Sequence, residues 1–236
     1  MITQGRFLFL STTSSQQKLV TVSTYTALAA TLIACSGGGE ERKNTGRPAT
    51  QVCDSAFDED ASKALQKISG ESRFEELGDS SASSRTSRFS LEEAARKLET
   101  NKGWSEYECK VYKAGDETGK ELLDLSFASA ASLPDPKESK REGSLSGQEF
   151  NTGAWAGTTP EGAKLYFRCS VNISGTEIKY VHASIFVNSS QITAKGVDRE
   201  KMSIINSASR RFAEKVDCQK EARLATGVPR SDRQPS

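Results

Sequence analysis

Cysteine carries the clearest chemistry in this sequence. The 236-residue chain holds five, Cys35, Cys53, Cys109, Cys169 and Cys218, and a single histidine, His182. No two cysteines stand in a C-x-x-C pair, so the spacing of zinc sites and dithiol redox centres is missing. An odd total in an exported protein requires one thiol with a chemistry of its own. Cys35 fits that requirement: it follows Leu32-Ile33-Ala34 and precedes Ser36-Gly37-Gly38-Gly39. The remaining four form an even, widely spaced set whose simplest use is two structural disulfides.

Leu32-Ile33-Ala34-Cys35 resembles the lipobox of bacterial lipoproteins, with an aliphatic residue three places before the thiol and a small residue immediately before it. The resemblance implies that Cys35 acquires a diacylglyceryl thioether, that a dedicated peptidase cleaves before it, and that the lipidated cysteine becomes the new N-terminus. Two or three acyl chains then hold the protein lastingly, at roughly 0.8 kcal/mol per buried methylene. Upstream, Arg6 and Lys18 precede the run from Leu19 to Ala34, which is too short and too rich in Thr and Ser for a stable spanning helix. An extra apolar cluster, Phe7-Leu8-Phe9-Leu10, makes this leader unusually long and leaves a start downstream of Met1 open. The division expected is a signal peptide over 1–34, the lipidated cysteine and a flexible tether over 35–50, one extracytoplasmic domain over 51–226, and a disordered tail over 227–236.

Other chemistry is sparse. The chain shows no G-x-S-x-G, G-x-G-x-x-G, phosphate-loop or H-E-x-x-H motif, and Gly143-Ser144-Leu145-Ser146-Gly147 has its serines misplaced for a nucleophile elbow. Asp58-Glu59-Asp60 lies where a helix dipole favours acids, with no ligand spacing for calcium. His182 has no identifiable partner as a base and reads as a packed histidine. No catalytic residue, metal ligand or cofactor is assigned. Removing the leader takes the formal charge from +1 to about −1, which gives no basic face for nucleic acid.

The elements that must position the cysteines follow from periodicity. Phe57, Ala61, Ala64, Leu65 and Ile68 form a helical stripe that Gly70 stops. Ser90-Leu91-Glu92-Glu93 has the form of a capping box opening a second helix, with Leu91, Ala94, Ala95 and Leu98 inward. From Trp104 the period becomes two: Tyr107, Cys109 and Val111, then Leu123, Leu125 and Phe127, make a hairpin with one wet face. Ser129 to Gly147 reads as a long loop. Leu165 to Ile173 and Ile178 to Val187 form a second strand pair, and the latter, apolar on both faces, is expected to be central. Asp198 is expected to cap the longest helix, with Met202, Ile205, Ser209, Phe212 and Val216 on its stripe and Lys201, Arg210 and Arg211 on a solvated face. The fold expected is therefore α+β: an antiparallel sheet of about four strands packed against about three helices, with two disulfides and a flexible N-terminal tether.

Four cysteines allow three pairings. Cys53 with Cys109 and Cys169 with Cys218 is favoured, because each bond staples a helix end to an inward strand position. Cys109 with Cys169 and Cys53 with Cys218 stays open, since loop-closure entropy depends only logarithmically on length.

This plan, with Cys53 before a helix, Cys109 in a strand and Cys218 closing the last helix, is loosely similar to small secreted lipoproteins of actinobacteria with no assigned activity. The resulting expectation is a lipoprotein lipid-anchored to the cell membrane through Cys35 and facing the extracytoplasmic side. Its domain would bind an envelope protein or wall component without catalysis, through loops carrying Trp104, Trp155 and Leu133-Pro134-Asp135-Pro136. Carboxylate pairs assembled only by folding leave no motif, so a cell-envelope hydrolase acting on wall or surface glycans is the alternative.

Overall fold

A computed structural model describes residues 46–76, 88–98, 107–135, 147–173 and 176–231, all within Glu41–Ser236, the larger of the two units into which the chain divides. Cys35 and its lipobox, the tether up to residue 45, Trp104, Pro136, the charge run Lys137 to Glu142 and Gly143 to Ser146 lie outside the described residues.

The first helix, α1 (Glu59–Ser69), starts and stops as its sequence dictates. Asp58 is the N-cap, its Oδ1 accepting the Ala61 N–H at 2.9 Å, and Gly70 closes the helix at φ 75°. Helix α2 (Leu91–Lys97) uses half of the expected capping box. Ser90 Oγ accepts the Glu93 N–H at 3.4 Å, but the Ser90 N–H goes to the Tyr107 hydroxyl at 2.8 Å, and Glu93 pairs instead with Arg96 and Lys97.

The strands β1 (Phe74–Glu76), β2 (Glu108–Lys113), β3 (Leu123–Ala130), β5 (Trp155–Thr159), β6 (Gly162–Ile173) and β7 (Thr176–Val187) make one antiparallel sheet in the order β1-β2-β3-β7-β6-β5. β7 lies centrally, between β3 and β6, as its two apolar faces require. Six strands replace the four expected. β1 is only three residues and ends on a buried carboxylate, and β5 contains Trp-Ala-Gly-Thr-Thr, so neither shows the alternation that marks a longer strand. The expected loop from Ser129 also begins later, since β3 runs to Ala130. A separate small sheet pairs β4 (Phe150–Asn151) with β8 (Arg230–Ser231), so residues 227–231 of the expected disordered tail are placed against the domain.

Helix α3 (Asp198–Lys215) crosses the inner face of the sheet, and the single turn α4 (Gln219–Ala222) follows it, giving four α-helices among the described residues where about three are expected. Val111, Leu123, Leu125, Phe127, Ala163, Leu165, Phe167, Val181, Ala183 and Ile185 are buried on the strands, and Phe212 stacks on Phe127 with ring centroids 4.2 Å apart. Two expectations for α3 are corrected. Val197, not Asp198, holds the N-cap position, and Asp198 sits inside the first turn. Nor is the cationic face wholly solvated: Lys201 is 3% exposed, and Arg210 pairs with Asp58. A helix packed against both the sheet and α1 has too little outer surface to leave those side chains in water.

Cys53 is bonded to Cys109 and Cys169 to Cys218. The first bond ties a left-handed turn to β2: Cys53, Asp54 and Ser55 all have φ between 52° and 58°. The buried Glu76 holds that turn, its carboxylate accepting the N–H groups of Cys53 at 3.0 Å and Phe89 at 2.8 Å. Asp54 in turn accepts the Leu91 N–H at 3.0 Å, at the start of α2.

Candidate functional site: a groove on the outer face of the sheet

Strand alternation sends every second side chain of β2, β3, β6 and β7 to the face away from the helices. Register then assembles them into cross-strand rows. One row runs Trp155, Tyr166, His182, Ala128; the next runs Lys164, Ser184, Ser126, Glu108; the third runs Gly162, Phe186, Asp124, Lys110. The middle of this face is built from small residues flanked by large ones. The result is a groove of about 1070 Å³ floored by Ser126, Ala128 and Ser184 and walled by Tyr166, His182, Phe186 and the Leu133-Pro134-Asp135 segment that follows β3.

Both exposed large hydrophobic side chains among the described residues, Phe186 at 41% and Leu133 at 36%, line this groove. Exposed apolar groups that converge on one concavity, rather than scattering singly, mark a recognition surface. Gly162 lies opposite Phe186, where a Cβ would meet the Ile185 carbonyl oxygen at 1.9 Å; only glycine allows β6 to approach so closely there.

The polar groups divide into satisfied and unsatisfied atoms. Ser126 and Ser184 share a hydroxyl hydrogen bond of 2.8 Å across the floor. Lys110 Nζ lies between two carboxylates, 3.3 Å from Asp124 and 3.4 Å from Glu108. Asp124 Oδ1 and His182 Nε2 are buried and have no hydrogen-bond partner among the described residues. Burial raises the Asp124 pKa and outweighs the opposing pull of Lys110. Burial, aided by the charge of Lys164, pushes His182 down to about 4, so its imidazole is neutral at ordinary pH. Its ring stacks on Tyr166 at 4.3 Å, and burial raises the Tyr166 hydroxyl, which stays protonated.

Helix α3 fixes the rim from behind. Lys201 Nζ donates to the carbonyls of Thr159 and Pro160, both at 2.8 Å, and so holds the turn between β5 and β6 beside the groove.

The sequence singled out His182 and the Leu133-Pro134-Asp135 segment, and the structure brings these two together. Trp155 meets the row edge-on, its ring 5.7 Å from that of Tyr166, at the margin rather than in the groove. In the sequence Asp124 and Ser126 read only as the wet side of an alternating strand, Phe186 reads as part of the second apolar face of a central strand, and Lys164 and Ser184 carry no signal of their own. Among the described residues no group of three or more His, Cys, Asp or Glu is placed to hold a metal ion, and no helix is long and apolar enough to cross a membrane. Compared with protein-family models, curated proteins and solved structures, the chain matches none.

Proposed function

We propose that this chain is an extracytoplasmic lipoprotein, anchored to the cell membrane by lipid on Cys35, whose domain is a non-enzymatic binding module using the groove on the outer sheet face. The observation that carries the binding reading is the convergence there of Phe186 and Leu133, the two exposed large hydrophobic side chains among the described residues. Exposed apolar side chains gathered on one concavity, rather than scattered singly, mark a recognition surface. The two disulfides suit the oxidising compartment that the lipobox implies.

Crosslinking on intact bacteria, with a photoreactive amino acid replacing Lys164 in the groove, tests the binding reading. A defined crosslinked species lost in Phe186→Ser supports it, and an unchanged crosslinking pattern refutes it. Mass spectrometry of the membrane-extracted protein tests the anchor: an unmodified N-terminus upstream of Cys35, or no change of location in Cys35→Ala, refutes that part.

The second reading is a cell-envelope hydrolase acting on wall or surface glycans, favoured by the proximity of Asp124 and Glu108 around Lys110 and by the raised pKa of Asp124, which suits a general acid. The ammonium between the two carboxylates occupies space that a reacting glycosidic oxygen needs, so binding without turnover is the preferred reading. Release of reducing ends from wall glycans, abolished by Asp124→Asn, would reverse that preference.

A further inference from the structure

Building on the groove as a ligand site, we infer that its ligand is a glycan without acidic groups: a neutral or amino-sugar oligosaccharide laid along the sheet face with one ring against Phe186. Three observations select this chemistry.

The first is charge. Among the described residues Glu108, Asp124 and Glu161 line the groove, against Lys164 and the adjoining Lys110. An excess of carboxylates repels uronates, phosphates and acidic lipids, and tolerates uncharged or cationic sugars.

The second is the distribution of polar groups. An exposed phenyl ring, paired serine hydroxyls, a neutral imidazole and a partly buried carboxylate alternate along the face. A pyranose presents apolar C–H faces that pack on an aromatic ring and a girdle of hydroxyls that donate and accept. Its hydroxyls can donate to the exposed part of the Asp124 carboxylate and to the neutral imidazole at the same time, if the chain spans the one row between them. That span is roughly 13 Å at about 3.3 Å per strand residue, which calls for an oligomer rather than a single sugar.

The third observation argues against an extended peptide. Peptides bind sheets chiefly by adding a strand at an edge, where backbone groups are unpaired. Among the described residues both outermost strands already have backbone partners: Arg47 bridges to Phe74 beside β1 with two 2.7 Å hydrogen bonds, and the Thr158 N–H of β5 is taken by the Gln148 carbonyl at 2.9 Å. The outer face offers a peptide no ladder for its backbone, only side-chain groups.

The test presents the full chain with immobilised neutral hexose oligomers, glucosamine oligomers, uronate oligomers, phosphorylated oligosaccharides and an oligolysine peptide. Binding is also read in solution from the ring signals of His182, the single histidine of the chain. The expected result is binding of neutral or amino-sugar oligomers that shifts the His182 signals, weakened about tenfold or more by Phe186→Ser and by Asp124→Asn. Both variants should keep a cooperative thermal transition. No binding by any sugar, equal binding of acidic oligomers, survival of binding in both variants, or occupation of the groove by oligolysine alone each overturns the inference. If no sugar binds but the Lys164 crosslink on cells still captures a species that Phe186→Ser abolishes, the glycan assignment falls and the binding reading stands. If both fail, both fall.

Discussion

His182 is the one imidazole in the chain, and its titration can be followed without assignment ambiguity. Its folded pKa of about 4 lies below the ordinary value of 6.5, so the unfolded chain takes up a proton in an interval where the folded chain does not. The stability linked to this group is intact above pH 6.5 and is lost as pH falls toward 4, by on the order of 3 kcal/mol at most. NMR titration should find the midpoint near 4. Urea unfolding between pH 7 and 4.5 should show a steeper loss for the native chain than for His182→Gln. Asp124 has the opposite sign. Its folded pKa is raised by burial, so its contribution favours folding at low pH and turns unfavourable as pH rises through the folded value. At neutral pH, Asp124→Asn removes a buried charge but also a partner of Lys110. The melting temperature should therefore be unchanged or slightly raised while groove binding is lost, a combination that a purely structural carboxylate would not give.

Among the elements, α3 has two tasks, covering the sheet with Phe212 and holding the groove's rim with Lys201. Burial lowers the Lys201 pKa against the opposing pull of Asp198, so the two carbonyl bonds are made by an ammonium held at some desolvation cost. Lys201→Met keeps the apolar stem and removes the donor. It should cost about 1–3 kcal/mol, because two carbonyls lose their partner. Hydrogen exchange should quicken at the amides around Thr159 to Gly162, and less so at the α1 amides. What the sequence disclosed of these elements follows their physics. Helix α1 was legible because its apolar stripe, acidic start and terminal glycine agree, and β7 because apolar residues on both faces leave a strand no edge position. Periodicity marks Lys201 and Arg210 only as the polar side of a helix, whereas the seating of Lys201 on the β5–β6 turn and of Arg210 on the α1 cap is a tertiary fact. β1 and β5 were missed because strands of three residues or with an internal glycine have no period to detect. The groove was missed for a similar reason: its rows join residues from four strands, and only register brings Asp124, Phe186 and Gly162 side by side.

At the scale of the whole molecule, the two disulfides close 56- and 49-residue separations across the domain, one fixing the left-handed turn against β2 and the other joining β6 to the end of α3. The chain-entropy model gives about 4 kcal/mol for each. Together that is comparable with the entire stability of an ordinary domain, about 5–15 kcal/mol, so the oxidised and reduced chains should behave as folded and largely unfolded species. This ties the fold to the proposed location. Made without residues 1–34 in a reducing cytoplasm, the chain should accumulate as insoluble or protease-sensitive material with all four of Cys53, Cys109, Cys169 and Cys218 open to alkylation. Exported behind the proposed leader, it should resist alkylation at these four until a reductant is added, and the reductant should abolish its cooperative thermal transition. A reduced chain that stays folded, with an unaltered melting temperature, would show that the core and the Glu76 clasp suffice without the crosslinks. The compartment would then have to be argued from Cys35 alone.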